Sequence, residues 1–479
     1  MSERPFFHLF STTQGFYLYD VNTDKILKIP SEVYRYLSGD NSCANDLTLA
    51  YIDDLKKNGY LKSNHVQESE HPMSNMLPYY LKYKLSHIVL QITQNCNLRC
   101  DYCIYSGGYK NRKHSQKVME FSIAQKAIDY LVSHSRDSKE LIVGFYGGEP
   151  LLCLDMVKRC IHYANEQAEG RKVKYSLTTN ATLLSEEIIS YFSANNVTTT
   201  ISLDGPKQIH DKYRKFARSS EGSYEALMKN VLMIKNKYPD YYRDKLLFNA
   251  VLVPENSFSC INEFVMSNKT IDGAQYIASL LDDRYTDNEL PFSERFIAEQ
   301  SYEIFKLYLS KLGWLRDIPP SKLVLDQMSQ ISRARKGKHL INMVQLPEKF
   351  HHGGPCMPGS PRLFVSAEGH FLPCERVSES SEVTRMGNVN DGIDIKKAEQ
   401  ILNVERATSS MCRDCWAYMY CHVCIGAADD LHEISPTLIK KSCGKVKRST
   451  EETFKDYCVL KELGYDFEND DVYAHLINY

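Results

Sequence analysis

Residues 95–106 read NCNLRCDYCIYS, with cysteines at 96, 100 and 103 in a C-x₃-C-x₂-C spacing. Thiolates bind iron and zinc, and an iron–sulfur cube and a structural zinc site both ordinarily take four protein ligands. A loop that stops at three leaves one coordination position for something other than the chain. The sequence on either side of the loop shows what kind of scaffold carries it.

Immediately upstream, LSHIVLQIT (85–93) is an apolar, β-branched run. Five more follow: LIVGFY (141–146), VKYSLTT (173–179), VTTTISL (197–203), LLFNAVLV (246–253) and AQYIASLL (274–281). Amphipathic segments such as SIAQKAIDYLVSH and SYEALMKNVLMIKNK lie between them. Strand–helix alternation of this length predicts an α/β fold with a parallel sheet, and six units predict a partial (β/α)6 TIM-like barrel. In such sheets chemistry gathers where strands run out at their C-terminal ends, and the cysteine loop follows Thr93 at such an end.

Other stretches divide the chain further. PFFHLFSTTQGFYLYDVNTDKILKIP (5–30) alternates around turn residues as a β-meander, and SEVYRYL and NDLTLAYIDDLKKNGYL follow as helices, the second closed by Gly59. This predicts a winged-helix-like module over 1–64 and a polar linker over 65–83. The barrel is expected over 84–300 and a helical connector over 301–350. A Cys-, Gly- and Pro-rich region, 351–460, lacks long periodic runs and reads as held by metal rather than by an apolar core. A tail, 461–479, completes the division.

Composition narrows the functional classes. The 479 residues carry 58 Lys and Arg against 60 Asp and Glu, which gives no basic footprint for nucleic acid. No apolar run approaches the roughly 18–20 residues of a membrane span, and MSERPFFHLF lacks a signal-peptide layout, so a cytoplasmic protein is expected. In a reducing compartment fifteen cysteines are better metal ligands than disulfide partners. Three lie at 96–103 and seven between 356 and 443. Those at 43, 153, 160, 260 and 458 are scattered, and the first four of them read as core packing.

With these motifs in place the sequence resembles the radical SAM superfamily. The resemblance implies a [4Fe–4S] cluster on Cys96, Cys100 and Cys103 whose fourth iron binds S-adenosylmethionine, which is cleaved to a 5′-deoxyadenosyl radical. Further matches fall at successive strand ends: GGEP (147–150), TTN (178–180), SLDGP (202–206) and HDKYR, which puts Arg214 twelve residues beyond Ser202. By resemblance Gly147 and Gly148 let backbone approach the ligand and Glu149 accepts from the methionyl ammonium. Asn180 joins them, Ser202 and Arg214 bind the SAM carboxylate, and Tyr102 lies against the adenine.

The late cysteines run C-x₁₂-G-x₄-C (Cys356, Gly369, Cys374), then C-x₂-C-x₅-C-x₂-C (412 to 424), then Cys443. On chemistry alone two C-x₂-C pairs suit a zinc ribbon. The layout resembles the SPASM extension with two auxiliary [4Fe–4S] clusters, although the last interval is x₂ where the family has x₃. By resemblance Cys412, Cys415, Cys421 and Cys443 hold one cluster. Cys356, Cys374 and Cys424 hold the other, which keeps an open iron unless Cys458 closes it. Glu375 stands where sulfatase-maturing relatives carry a general base, and pairing with Arg376 or a lysine is its bland alternative.

Residues 1–62 resemble the leader-recognition element of enzymes that modify ribosomal peptides, and their acidic and basic residues nearly balance, which is poor for binding phosphates. Together the resemblances imply three [4Fe–4S] clusters and S-adenosylmethionine. They also imply a precursor peptide with a leader and a Cys-rich core, and an electron donor such as flavodoxin or ferredoxin. The expected product is a Cys thioether crosslink, as in sactipeptide or ranthipeptide maturases. Formylglycine formation and a carbon–carbon crosslink are alternatives, and a zinc-binding winged-helix regulator is the alternative from another class.

Overall fold

The protein is described by a computed structural model that covers residues 4–105, 108–286, 293–336 and 344–467. The chain opens with strands β1 (Phe7–Ser11), β2 (Phe16–Asp20) and β3 (Lys25–Ile29) in an antiparallel meander, followed by helices α1 (Ser31–Leu37) and α2 (Asp46–Lys57). Side chains alternate across a strand, and β2 uses both faces. Leu18 packs with Ile29, Val33 of α1 and Ile52 and Leu55 of α2. Tyr17 and Tyr19 face the other way, into a cluster shared with Tyr418, Met419 and Phe454. Gly59 lies in the left-handed region just past α2 at φ +89°, and this front module shares a core with the C-terminal region.

The stretch expected as a linker is tied down. It contains β4 (Glu68–Ser69), and helix α3 (Leu77–Tyr83) buries Leu77 and Leu81 in the main core. Strand and helix then alternate: β5 (His87–Thr93), a short β6 (Leu98–Cys100), α4 (Phe121–Ser133), β7 (Glu140–Gly147), α5 (Leu154–Gln167), β8 (Lys172–Thr179) and α6 (Glu186–Ala194). Next come β9 (Val197–Ser202), α7 (Lys207–Tyr213), a short β10 (Arg214–Phe216), α8 (Tyr224–Lys237), α9 (Pro239–Lys245), β11 (Leu246–Leu252), α10 (Phe258–Ser267) and β12 (Gln275–Leu280). The six long strands pair in parallel in the order β12-β11-β9-β8-β7-β5, at the places the sequence runs predicted.

The sheet does not stop at β5. After α11 (Glu294–Lys311) and α12 (Asp326–Lys336), the chain forms β13 (Lys349–Phe350), which pairs with β4, and β14 (Arg362–Val365), which pairs in parallel with β5. Three antiparallel strands, β15 (His370–Leu372), β16 (Gly387–Asn388) and β17 (Gly392–Ile393), extend the sheet to ten. Helices α13 (Ile395–Leu402), α14 (Ser409–Cys412) and α15 (Ile425–Ala428) lead to α16 (Pro436–Glu462), 27 residues long.

That last helix corrects the expectation of a region without long periodic elements. Ile439, Val446, Thr450, Phe454 and Cys458 recur at helical spacing and are buried, while the many lysines of the other face dilute the pattern in the sequence. The expected tail does not begin at 461, because α16 runs to Glu462 and Phe467 is buried. Residues 468–479 lie outside the described residues. Among the described residues no helix is long and apolar enough to cross a membrane.

Candidate functional site

Cys96, Cys100 and Cys103 sit in the loop that leaves β5, and their thiols lie close enough to interact electrostatically. Burial pushes the Cys96 and Cys100 thiols up to about 12, so they stay protonated at neutral pH until a metal centre ionises them. Backbone and side-chain donors already face two of the sulfurs. Leu98 N lies 3.4 Å and Asn180 Nδ2 3.8 Å from Cys96 Sγ, and Tyr105 N lies 3.5 Å from Cys103 Sγ. Such donors stabilise the charge on cluster sulfurs.

The geometry fits a cluster better than a single zinc ion. Zinc–sulfur bonds of about 2.3 Å put tetrahedral sulfurs only ~3.8 Å apart. Among the described residues no three cysteine sulfurs lie within 4.8 Å of one another.

The GGEP segment holds this loop in place. Gly147, at φ +135°, has no room for a Cβ, which would fall 2.1 Å from the Thr93 carbonyl oxygen; one on Gly148 would fall 2.1 Å from that of Asn95. Gly148 N donates to Thr93 O at 2.8 Å and Glu149 N to Asn95 O at 2.9 Å. The close approach that needs glycine is therefore to the chain's own lead-in to Cys96.

Glu149 is fully buried and points inward. Its carboxylate accepts from Leu151 N (3.0 Å), Thr179 Oγ1 (2.8 Å) and Asn180 N (2.8 Å), and burial raises it to about 7. It pins the end of β8 to the end of β7 through these three donors. Asn180, so fixed, donates to Asn97 Oδ1 at 2.8 Å and accepts from Thr182 N at 3.0 Å.

The other side of the loop is braced by a buried ion pair. Strands β6 and β10 pair so that Arg214 stands opposite Cys100. Arg214 Nε lies 2.8 Å from Asp204 Oδ2 and its Nη2 3.3 Å from Oδ1. Asp204 also accepts from Val251 N at 3.0 Å and from the Tyr102 hydroxyl. Burial works to raise the Asp204 carboxyl, but the Arg214 charge outweighs it and holds the group below its usual range.

Asp204 therefore ties the cysteine loop, β10 and the end of β11 together, and sequence reasoning missed it, although SLDGP contains it. Arg214 is paired within this network. It already shares its charge with Asp204, and its guanidinium lies 5.4 Å from the centre of the Tyr102 ring. The Tyr102 hydroxyl belongs to the same network.

Ser202, at the end of β9, faces the barrel interior with Asn249 beside it in register. The interior is a polar trough. On β8, β9 and β11 the residues turned to the helices are buried, while Ser176, Thr178, Thr198, Thr200, Ser202 and Asn249 are half-buried. Ser176 stands beside Thr198 and Thr178 beside Thr200, which makes successive rungs of hydrogen-bonding groups.

Four of the late cysteines share one cavity and two more lie together elsewhere. Cys412, Cys415, Cys421 and Cys443 line one cavity of about 110 Å³. Burial pushes Cys412 up to about 11 and Cys421 to about 12. Cys374 and Cys424 interact with each other beside Arg284, from the loop after β12. Cys356 is exposed. Cys458 belongs to the apolar cluster of Phe10, Tyr17 and Phe454.

Glu375 pairs with Arg362 of β14 at 3.0 Å, and its side chain is only 15% exposed. It is not a surface charge on Arg376 or a lysine, and it lies near Tyr146 at the top of β7.

Comparison with known proteins agrees with this arrangement. The sequence model of the radical SAM superfamily matches residues 90–266. The chain carries a radical SAM domain. A cysteine-type anaerobic sulfatase-maturating enzyme of Clostridium novyi is 33% identical over 161 residues, which are 33% of this chain and 42% of that enzyme. The radical SAM cyclopropyl synthase TigE of Paramaledivibacter caminithermalis is 25% identical over 272 residues, 53% of either chain.

The chain thus spans about half, or less, of the length of these relatives. The solved structure of native anSMEcpe with bound AdoMet superposes with a TM-score of 0.56 at 17% identity, over 81% of this chain and 100% of that one. At that identity the likeness concerns the fold.

Proposed function

We propose that this chain is a radical SAM maturase that modifies a ribosomally made peptide. The observation that carries the reading is the meeting of two cysteine sets on one scaffold. A cysteine trio lies at the C-terminal end of the parallel sheet, and a four-cysteine cavity lies in the region whose strand β14 joins that sheet. A [4Fe–4S] cluster with S-adenosylmethionine supplies, when bound, a 5′-deoxyadenosyl radical by one-electron reductive cleavage.

The chain's own residues supply the rest. Asp204, Arg214 and Tyr102 hold the cysteine loop against the sheet, and Gly147 and Gly148 hold its entry. The rungs of Ser176, Thr178, Thr198, Thr200, Ser202 and Asn249 offer donors and acceptors suited to an extended peptide backbone. Cys412, Cys415, Cys421 and Cys443, and separately Cys374 and Cys424 with Cys356, are the ligands for two auxiliary clusters. Glu375, oriented by Arg362, is placed to take a proton from substrate. The module at 1–64 captures the leader by strand addition, and a flavodoxin or ferredoxin is the electron donor.

The product that fits a Cys-rich substrate best is a thioether between a cysteine sulfur and a carbon of the same peptide, with two hydrogens lost per crosslink. Formylglycine formation on a sulfatase is a second reading, favoured by one observation: Glu375 directly follows Cys374 and lies near Tyr146.

Co-expression with a neighbouring Cys-rich peptide and mass spectrometry separates the two readings. Loss of two hydrogens with the thiols blocked to alkylation supports the thioether, and loss with all thiols free rejects it. About twelve iron atoms per chain are expected for three cubes, and a chain that binds zinc alone would end the enzyme reading.

A further inference from the structure

The cavity that gathers Cys412, Cys415, Cys421 and Cys443 has one histidine in its wall, His352. The segment HHGG (351–354) runs directly against the backbone of the cysteine loop. A Cβ on Gly354 would lie 2.7 Å from the Cys421 carbonyl oxygen and 2.8 Å from His422 Cα, so the approach needs glycine.

The His352 ring is fixed on both sides. Its Nδ1 accepts the Gly354 N–H at 3.2 Å, which leaves the ring proton on Nε2. The ring donates to the backbone carbonyl of Cys421. The His352 backbone N–H is taken by Glu405 Oε2 at 2.7 Å. Glu405, itself buried, also accepts from Ser69 Oγ at 2.6 Å and from Tyr418 at 2.7 Å.

His351, His352 and Glu405 bring their donor atoms within 4.8 Å of one another, the composition of a metal site. The hydrogen bonds exclude that use. His351 donates from Nδ1 to His352 O at 2.9 Å and accepts the Glu405 N–H on Nε2 at 3.2 Å. Both ring lone pairs of the two histidines are therefore already engaged by backbone N–H groups, and none remains for an ion. The trio is a brace, and its one outlet toward the cavity is the His352 ring.

We propose that His352 is a positioning residue for the iron–sulfur cluster held by Cys412, Cys415, Cys421 and Cys443, and that it sets the reduction potential of that cluster. The inference rests on the reading of that cavity as a cluster site. The imidazole N–H engages the Cys421 carbonyl and turns the positive end of a fixed dipole toward the cavity wall. A positive dipole end favours the reduced, more negative cluster, as hydrogen bonding around cluster sulfurs does generally. Glu405, Ser69 and Tyr418 keep the dipole from reorienting.

The test uses the anaerobically reconstituted full chain, with iron and sulfide quantified and each cluster titrated potentiometrically by electron paramagnetic resonance. In His352→Ala, S-adenosylmethionine cleavage continues and the auxiliary signal moves to more negative potential. At the wild-type midpoint the oxidised-to-reduced ratio rises at least tenfold, which is 59 mV for one electron. His352→Gln, whose amide accepts from Gly354 and donates to Cys421, recovers at least half of the shift.

An alanine variant that titrates at the wild-type midpoint overturns the proposal, and so does a glutamine variant displaced as far as alanine. Should alanine cost the cluster altogether, the glutamine variant decides: full iron at the wild-type midpoint upholds the role, and loss of iron there overturns it. Wild-type protein with only about four irons per chain fails the reading of the cavity itself, a result distinct from any of these.

Discussion

Replacing Asp204 by asparagine keeps the shape of the side chain and removes the counter-charge of a buried arginine. The asparagine retains one acceptor oxygen, enough for Val251 N, and presents an NH₂ to Arg214 Nε and the Tyr102 hydroxyl, both donors to Asp204. Two bonds to a charged acceptor at about 1.5–3 kcal/mol each give about 3–6 kcal/mol. This is in line with the ~3–5 kcal/mol lost when one partner of a buried ion pair is removed.

Unfolding entropy of about 2.1 cal/mol/K per residue, over 479 residues, converts that loss to a fall of ~3–5 °C in the thermal midpoint if the chain unfolds as one unit. The assay is thermal unfolding of the reduced, metal-free protein, followed by iron uptake on reconstitution, which should also fall because Arg214 stands opposite Cys100. Glu140→Gln, which breaks the exposed Lys174 pair, is the control and should leave the midpoint unchanged. Adding Arg214→Met to Asp204→Asn should restore at least half of the loss. An Asp204→Asn midpoint within about 1 °C of wild type would refute the assignment of Asp204 as the anchor of the loop.

Further outcomes follow from the same geometry. Gly148→Ala, whose Cβ has 2.1 Å to the Asn95 carbonyl oxygen, should cut iron uptake by the first loop at least tenfold, while Gly170→Ala, strained only by its φ of +80° with nothing within 4 Å, should cost some stability and leave uptake intact. Cys100→Ala should abolish reductant-dependent release of 5′-deoxyadenosine, and Cys415→Ala should keep it and lose the peptide product; product analysis by mass spectrometry checks both. Burial holds His87 down at about 3 and His71 and His210 at about 4, below the unfolded value near 6.5. The unfolded chain then binds more protons between these limits. Stability is full above about pH 6.5 and falls toward pH 4, by up to ~1.4 kcal/mol per pH unit for each histidine; a thermal midpoint that stays flat from pH 7 to 5 would contradict this.

The parallel strands were legible because each is a run of apolar, β-branched residues bounded by amphipathic helices, and β5 to β12 fall where those runs lie. β14 was not legible. RLFV is four residues within a Gly- and Pro-rich stretch, and its partner His87–Leu90 is remote in sequence. α16 was hidden because its buried stripe covers one side only and lysines crowd the rest.

In the site, thiol spacing was readable because ligand sets repeat by chemistry. The roles of GGEP were not, since a motif does not show to which side a carboxylate turns. Glu149 turns inward, where burial and three donors fix it. Asp204 and His352 escaped notice for a related reason. They act on other protein groups, and the value of such a residue exists only once distant segments have met.

The pairing of β14 with β5 also bears on how the protein is made. While the chain leaves the ribosome, one margin of the first barrel strand stays bare until residues 362–365 have been synthesised. The nascent barrel is therefore sticky along that margin for most of translation, and any fragment cut before β14 inherits the same exposed edge. Truncated versions should aggregate for want of a neighbouring strand, even with every ligand of the first loop in place.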